Sequence, residues 1–580
     1  MVHHSKIALA SAGASAASLG DVCTTSHVQS LLPVDGLIAG LTFHPDTVTA
    51  SAAYNETYNG VDYPTAAINY CNVTFQYSHD GWDDKVILQY WLPEPAAYRN
   101  RFLTTGGGGY AISSGSASLP GGVMYGAVAG TTDGGYGGFS SDLTQVVLSA
   151  NGSINWNAIH MQGYQAIHEL TMIGKNFSSN FYGTDDKIYT YYQGCSEGGR
   201  EGWSQAQRFG EDYDGIIAGA PAFRYSHQQV GHLSQSVMQK TAGYVPPPCE
   251  LERIVNATIA FCDPLDGKTD GVISRSDLCK LKFDVNSTFS LSYYCEASEG
   301  GNSPFKVKRQ FGGGGSLLEQ NGTVTAEAVA LVKTIYDGLR DSQGRQAYLS
   351  YQPGSKFSDA QNSYNNETGS WEPRFSSVGG EFVAKFLQFQ DVDSIENFDG
   401  VTYDTLVEWM NQALDLYGDT LQTTKPDLTS IQKAGGKILH FHGELDSSIP
   451  AGSSVHYFES VRQIMYPGQS LNESAANLGD FYRLYLVPGA EHCGSSTAQP
   501  NGPWPQTNLA VMIDWVENGV APDRLNATVA SGNHEGETQE ICQWPLRPYW
   551  RGNATMDCEY DQDSINSWMY TFDAFKRPIY

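Results

Sequence analysis

A β-rich run from Lys187 to Tyr192 leads into Gly194-Cys195-Ser196-Glu197-Gly198, and a helical run from Gly199 to Arg208 follows. Strand, tight turn and helix around G-x-S-x-G is the context of a nucleophile elbow, which presents a serine hydroxyl at the end of an α/β sheet. The glycines let the backbone turn sharply and leave room for strand and helix to pass closely. The pentapeptide alone recurs by chance, so the flanking strand and helix carry the inference.

Far downstream, Tyr482 to Val487 reads as a strand, and a loop follows that contains His492 and Cys493. One cysteine therefore directly precedes the candidate serine and another directly follows a candidate histidine. If Cys195 and Cys493 are bonded, their Cα atoms lie within about 7 Å, and Ser196 and His492 come close as well. Asp446 follows a third strand-like run that begins at Lys437, and Glu444, two residues earlier, is a second carboxylate. Serine, aspartate, histidine is the chain order of α/β-hydrolases, the fold expected here. In that fold the loop after an early strand supplies one oxyanion-binding N–H and the residue after the nucleophile supplies the other. The early loop is Gly106-Gly107-Gly108-Gly109, which lacks the G-K-[ST] of a phosphate cradle. Glu197 and either Gly108 or Gly109 are the expected donors, although four glycines also make a plain turn. Gly130 to Gly138, equally glycine-rich, reads as loop.

The Cys-Ser, Asp and His-Cys arrangement resembles the fungal tannase and feruloyl esterase family. The resemblance extends to the stretch Tyr191 to Gly202, to Pro246-Pro-Pro-Cys249-Glu-Leu251 and to Cys542-Gln-Trp-Pro-Leu-Arg-Pro548, and covers nearly the whole chain past its N-terminus. It implies a secreted serine esterase that cleaves galloyl esters of tannins, including depside bonds. The alternative on the same scaffold is a feruloyl esterase acting on plant cell-wall polysaccharides. Resemblance also favours Asp446 over Glu444 and implies a lid between serine and aspartate. The expected organisation is a signal peptide over residues 1–18, a catalytic domain over 19–222 and 432–580, and a lid over 223–431.

Composition bounds the rest. The chain has 580 residues with 41% hydrophobic, enough for a large core. A formal charge of -28 argues against a nucleic-acid partner, which would call for a basic surface. Lys6 precedes Ile7 to Ala16, a weakly apolar run ending in small residues, which reads as a secretory signal. The sequence contains N-glycosylation sequons at Asn55, Asn72, Asn151, Asn176, Asn256, Asn286, Asn321, Asn366, Asn472, Asn526 and Asn553. No apolar run reaches the length that spans a bilayer. An oxidising compartment permits disulfides. Cys23 with Cys71, around a region of short strands, Cys262 with Cys279, Cys249 with Cys295 and Cys542 with Cys558 are the candidate pairs, although connectivity is not readable from sequence.

Asn155 to Gly174 has apolar residues at helical spacing and is expected to pack on the sheet. The inserted segment opens with Arg224 to His232, dense in neutral polar groups. Gln228 and His232 share a face if this is helix. With Gln229, and with Ser448 beside the acid, they are candidates to bind phenolic hydroxyls, and a polar face turned to water is the plainer reading. Asp263, Asp266 and Asp270 lie within eight positions of one another, hard oxygen donors suited to Ca2+ though without EF-hand spacing. The family resemblance implies these three aspartates as calcium ligands and adds the carbonyls of Lys268 and Val272; lying outside the triad motifs, the site is expected to be structural. Lys308-Arg309 in a glycine-rich stretch is a candidate cleavage site for a processing protease. A catalytically silent binding glycoprotein and a serine peptidase compete with the esterase reading. The intact triad argues against the first and the family motifs against the second. Oligomeric state is left open.

Overall fold

The computed structural model describes residues 17–297, 318–360, 362–552 and 555–580. Residues 1–16 of the expected signal, the Lys308-Arg309 pair and Asn553 lie outside the described residues. Nine strands form one mixed sheet: β1 (Leu41–Tyr58), β2 (Ala66–His79), β3 (Val86–Pro93), β4 (Arg101–Thr105), β5 (Ala127–Thr132), β6 (Tyr189–Cys195), β7 (Gly215–Gly219), β8 (Lys437–Gly443) and β9 (Tyr482–Val487). Their order is β1-β2-β3-β5-β4-β6-β7-β8-β9. Strands β1, β2, β3 and β5 pair antiparallel. From β5 through β4, β6, β7 and β8 to β9 every pairing is parallel.

The parallel strands are largely buried because helices cover both faces of the sheet. All of β7 is buried, as is β8 after Lys437. Successive side chains of a strand point to opposite faces. Tyr192, Ile216 and Ile438 therefore join one core with helices α1 (Ala166–Tyr182) and α2 (Glu197–Arg208). Tyr191, Ile217 and Leu439 join the other, which also takes Leu509, Met512 and Ile513 of the late helix Asn508–Asn518. The helix expected over 155–174 is observed from Trp156, passes through a π-turn at Met161–Gln165, and continues as α1 to a left-handed cap at Gly183.

Two expectations are corrected. The region between Cys23 and Cys71 is not built of short strands: β1 and β2 make a long hairpin, bulged between His44 and Thr49 and between Ala53 and Glu56. Gly130 is not loop but part of β5, where a Cβ would come within 2.8 Å of the Tyr90 ring. Close ring packing, rather than a turn, demands glycine there.

All five candidate disulfides are formed: Cys23–Cys71, Cys195–Cys493, Cys249–Cys295, Cys262–Cys279 and Cys542–Cys558. The segment between β7 and β8 begins with α3 (Tyr225–Gly231) and α4 (Ser234–Ala242). It seats on the segments that follow β8 and β9. Arg224 Nη1 donates to the Ser453 carbonyl at 2.8 Å, Ser358 and Ser447 share a 2.7 Å hydroxyl hydrogen bond, and Lys356 Nζ lies 2.9 Å from Glu491.

Candidate active site

The turn between β6 and α2 places Ser196 at φ 65° and ψ −123°, a left-handed conformation that costs a non-glycine residue about 1–3 kcal/mol. Gly199 in the first turn of α2 is required by contact, since a Cβ there would lie 2.3 Å from the Gly219 carbonyl oxygen. Across the sheet end, the loop after β9 carries His492 next to Cys493, itself at φ 54°. The Cys195–Cys493 bond holds these two loops with Cα atoms 6.0 Å apart. His492 Nε2 lies 2.8 Å from Ser196 Oγ, and His492 Nδ1 lies 2.7 Å from Asp446 Oδ2. Serine, imidazole and carboxylate thus form one continuous hydrogen-bonded line.

Asp446 is buried in the loop after β8. Its Oδ1 accepts the backbone N–H groups of Ser448 at 2.8 Å and Ile449 at 2.9 Å. Burial alone would raise its pKa, but the His492 charge and the hydrogen bonds from His442 and His492 hold it well below the usual carboxylate range. Glu444, the alternative acid, is turned away: it pairs with Arg547 at 2.7 Å and accepts from Ser276 Oγ at 2.5 Å.

Glu197 is the first residue of α2, and the N–H of a first helical residue has no intrahelical acceptor. Of the two candidate glycines, Gly108 is excluded as the second donor because its N–H bonds the Ala111 carbonyl at 3.0 Å. Gly109, at φ 65°, remains. The adjoining Gly107 N–H donates to Glu201 Oε2 at 3.0 Å, and the Tyr192 hydroxyl, which donates to the Gly198 carbonyl at 2.6 Å, lies 3.2 Å from the same oxygen. Burial and the Glu197 charge push Glu201 well above the ordinary glutamate range against the opposing Arg200. The Glu197 side chain points away from the serine, accepting from Arg200 Nε at 2.8 Å and Gln162 Nε2 at 2.6 Å.

Gln228, Gln229 and His232 are on or just after α3 and buried, not turned to water. Gln228 Nε2 lies 3.2 Å from His232 Nε2, and His232 Nδ1 lies 3.0 Å from Asp359. Burial would lower the His232 pKa, but the Asp359 carboxylate overrides it and raises the value. The side-chain oxygens of Gln228 and Gln229 are buried without a hydrogen-bond partner. A buried amide oxygen of this kind is costly unless a ligand or water uses it. Ser448 contributes its N–H to Asp446 and its carbonyl to the Tyr351 hydroxyl at 3.3 Å.

The acidic loop lies apart from the triad motifs in sequence. Asp263 accepts from the Asp270 N–H at 3.0 Å, Asp266 from the Lys268 N–H at 2.9 Å and Asp270 from the Val272 N–H at 3.1 Å. The Lys268 ammonium lies 2.9 Å from Asp270. Among the described residues no group of three His, Cys, Asp or Glu side chains is arranged to hold a metal ion as it stands. The donor chemistry nonetheless fits a hard cation. Asp266 Oδ2 is buried without a partner, and burial, with the charges of Asp270 and Asp263 adding to it, pushes this carboxyl up to about 6.

Asp359, Glu201 and His442 escape sequence reasoning. Only His442 left a signal: with His440 it alternates on a buried strand, so both point to one face.

The family model described as tannase and feruloyl esterase matches residues 71–565. A protein named tannase from Aspergillus oryzae is 52% identical over 594 aligned residues and covers 100% of both chains. A probable feruloyl esterase from Arthroderma benhamiae is 30% identical over 493 residues, 84% of each chain. Among solved structures, a tannin acyl hydrolase from Aspergillus niger superposes with a TM-score of 0.93 at 53% identity, covering 97% of this chain and 99% of that one.

Proposed function

Since the chain belongs to the tannase and feruloyl esterase family, we propose that it is a serine esterase that hydrolyses galloyl esters and depsides through Ser196, His492 and Asp446. The observation that carries this is the hydrogen-bonded line from Ser196 through His492 to Asp446, built on a strained elbow. Ser196 Oγ bonds to the ester carbonyl carbon while His492 Nε2 takes its proton, and Asp446 holds the imidazole tautomer and stabilises the imidazolium. The N–H groups of Glu197 and Gly109 receive the oxyanion, a contribution on the order of 10²–10³ in rate for each donor. His492 returns the proton to the departing alcohol. Water then adds to the acyl-enzyme by the same route and releases the acid.

Support for a galloyl over a feruloyl substrate comes from the named relatives, 52% identity to a tannase against 30% to a probable feruloyl esterase. Gln228, Gln229 and His232 supply the polar groups that three adjacent phenolic hydroxyls require. Labelling with a serine-directed phosphonate tests the nucleophile. A single adduct on Ser196 with loss of activity supports the reading, and an adduct elsewhere with Ser196 unmodified contradicts it.

Secretion is part of the same proposal. Five disulfides fit an oxidising compartment. Among the described residues no helix is long and apolar enough to cross a membrane. Of the sequon asparagines described, Asn72 and Asn176 are half-buried and the other eight are exposed, so all ten leave room for a glycan. The acidic loop would hold a structural Ca2+ through Asp263, Asp266 and Asp270 with the carbonyls of Lys268 and Val272. Cleavage after Lys308-Arg309 would leave two fragments joined by Cys195–Cys493, separable only on a reducing gel.

A further inference from the structure

Behind the triad, β8 carries two buried histidines on one face, and both reach the hydroxyl of Ser454, near the start of the helix Gly452–Met465. His440 Nε2 lies 2.7 Å from Ser454 Oγ, and His442 Nδ1 lies 2.6 Å from the same oxygen. His440 Nδ1 lies 2.9 Å from the Tyr482 hydroxyl. His442 Nε2 lies 3.1 Å from Asp446 Oδ2 and 3.0 Å from the Ile449 carbonyl oxygen. The line therefore runs from Tyr482 to the carboxylate that faces His492, with every member buried.

We propose that Tyr482, His440, Ser454 and His442 form a one-directional hydrogen-bond relay that keeps Asp446 a pure acceptor, with His442 as a positioning residue of the triad. The direction follows from the atoms for a neutral His442 imidazole. Both neighbours of His442 Nε2 are acceptors, so this nitrogen carries the hydrogen. In the neutral imidazole Nδ1 is then an acceptor, and the single Ser454 hydrogen goes to it. Ser454 Oγ can now only accept from His440, whose Nε2 is protonated and whose Nδ1 accepts from Tyr482. Burial keeps His440 neutral, its pKa well below 6.5. Its ring is enclosed by Trp203 at 5.4 Å and Phe223 at 6.0 Å.

The consequence lies at Asp446. An ionised carboxylate offers about four lone-pair sites. They are used by the N–H groups of Ser448 and Ile449 and by His442 and His492. Four hydrogen bonds to the carboxylate favour its charged form, so Asp446 orients and stabilises the His492 imidazolium. The other titratable groups whose fields couple to Asp446 are Tyr348, Tyr351 and His232, the last paired with Asp359.

This inference rests on the triad reading, and the test separates the two. The pH profile of kcat/KM is measured for the wild type, Ser454→Ala, His442→Phe and His442→Gln, with Ser196→Ala as the blank. Removing a donor from Asp446 leaves its charge less compensated, so the His492 proton is held more tightly and the acidic limb moves to higher pH. His442→Phe is expected to lose about tenfold to a hundredfold in kcat/KM, the range of a lost hydrogen bond to a charged group, and Ser454→Ala, which removes the hydrogen bond behind His442, about twofold to tenfold in the same direction. His442→Gln, whose amide can still donate, recovers part of the rate and moves the limb back. A packing role would lower the folded fraction and leave the limb in place. Ser454→Ala is the least disruptive change and keeps the proposal testable if His442→Phe fails to fold. An unmoved limb and full kcat in Ser454→Ala, with Ser196→Ala inactive, overturn the relay. Turnover by Ser196→Ala would instead overturn the triad reading.

Discussion

Cys195 and Cys493 are bonded across a sequence separation of 298 residues, and each is the chain neighbour of one partner in the 2.8 Å Ser196–His492 hydrogen bond. The bond therefore does more than close a loop. It sets the separation of two catalytic loops that belong to different strands. Replacing both cysteines by serine is expected to cut kcat sharply and to lower stability by about 2–4 kcal/mol. Comparing kcat with the denaturation midpoint checks this. Lost stability with full kcat at low temperature would reduce the disulfide to a staple.

The φ of 65° at Ser196 predicts an ordering between two dead variants. Ser196→Ala keeps the strained conformation, whereas Ser196→Gly adopts it freely. Both are expected to be inactive, and the glycine variant to unfold at the higher temperature, by about 1 kcal/mol in stability. Thermal unfolding of the pair measures it. Equal midpoints would mean that the elbow is unstrained.

Glu201 holds the Gly107 N–H, and with it the loop that carries Gly109. Glu201→Ala is expected to lower kcat about tenfold, since a buried N–H loses its acceptor and the donor loop relaxes. Glu201→Gln keeps a neutral acceptor and most of the activity. The raised Glu201 pKa has a stability consequence with a definite sign. The folded state keeps a proton that the unfolded chain gives up above the ordinary value of 4.5, so this group's contribution falls as pH rises from there. The glutamine variant should lose that slope in pH-dependent unfolding.

Calcium is expected to raise the melting temperature in proportion to the logarithm of its concentration above Kd. A chelator reverses the shift. Asp266→Asn, which removes the charge at the unpartnered oxygen, abolishes the response while leaving esterase activity at low temperature unchanged. A melting temperature indifferent to Ca2+ and chelator would remove the ion from the account.

How much of this was legible in the chain varies with the range of the interaction. The elbow and the order of Ser196, Asp446 and His492 are encoded in local pattern, whereas cysteine placement offers candidate pairs whose connectivity only the structure supplies. The choice between Asp446 and Glu444 is settled in space by Arg547, which lies far along the chain and claims Glu444. Gly130 reads as loop because a glycine run looks the same whether it turns or packs under a ring. Gly108 and Gly109 are indistinguishable until a short turn bonds one of them to Ala111. Asp359 and Glu201 acquire their roles only through tertiary contact. The alternation of His440 and His442 was visible, but what they touch depends on Ser454 and Tyr482, which other elements supply.

The central claim is a galloyl-selective serine esterase, and the most direct test is the hydrolysis of methyl gallate beside methyl ferulate by the wild type, with Ser196→Ala as the blank. The account predicts rapid release of gallate, little or no release of ferulate, and no turnover by the blank. Preference for ferulate, or turnover of gallate by the Ser196→Ala protein, would contradict it.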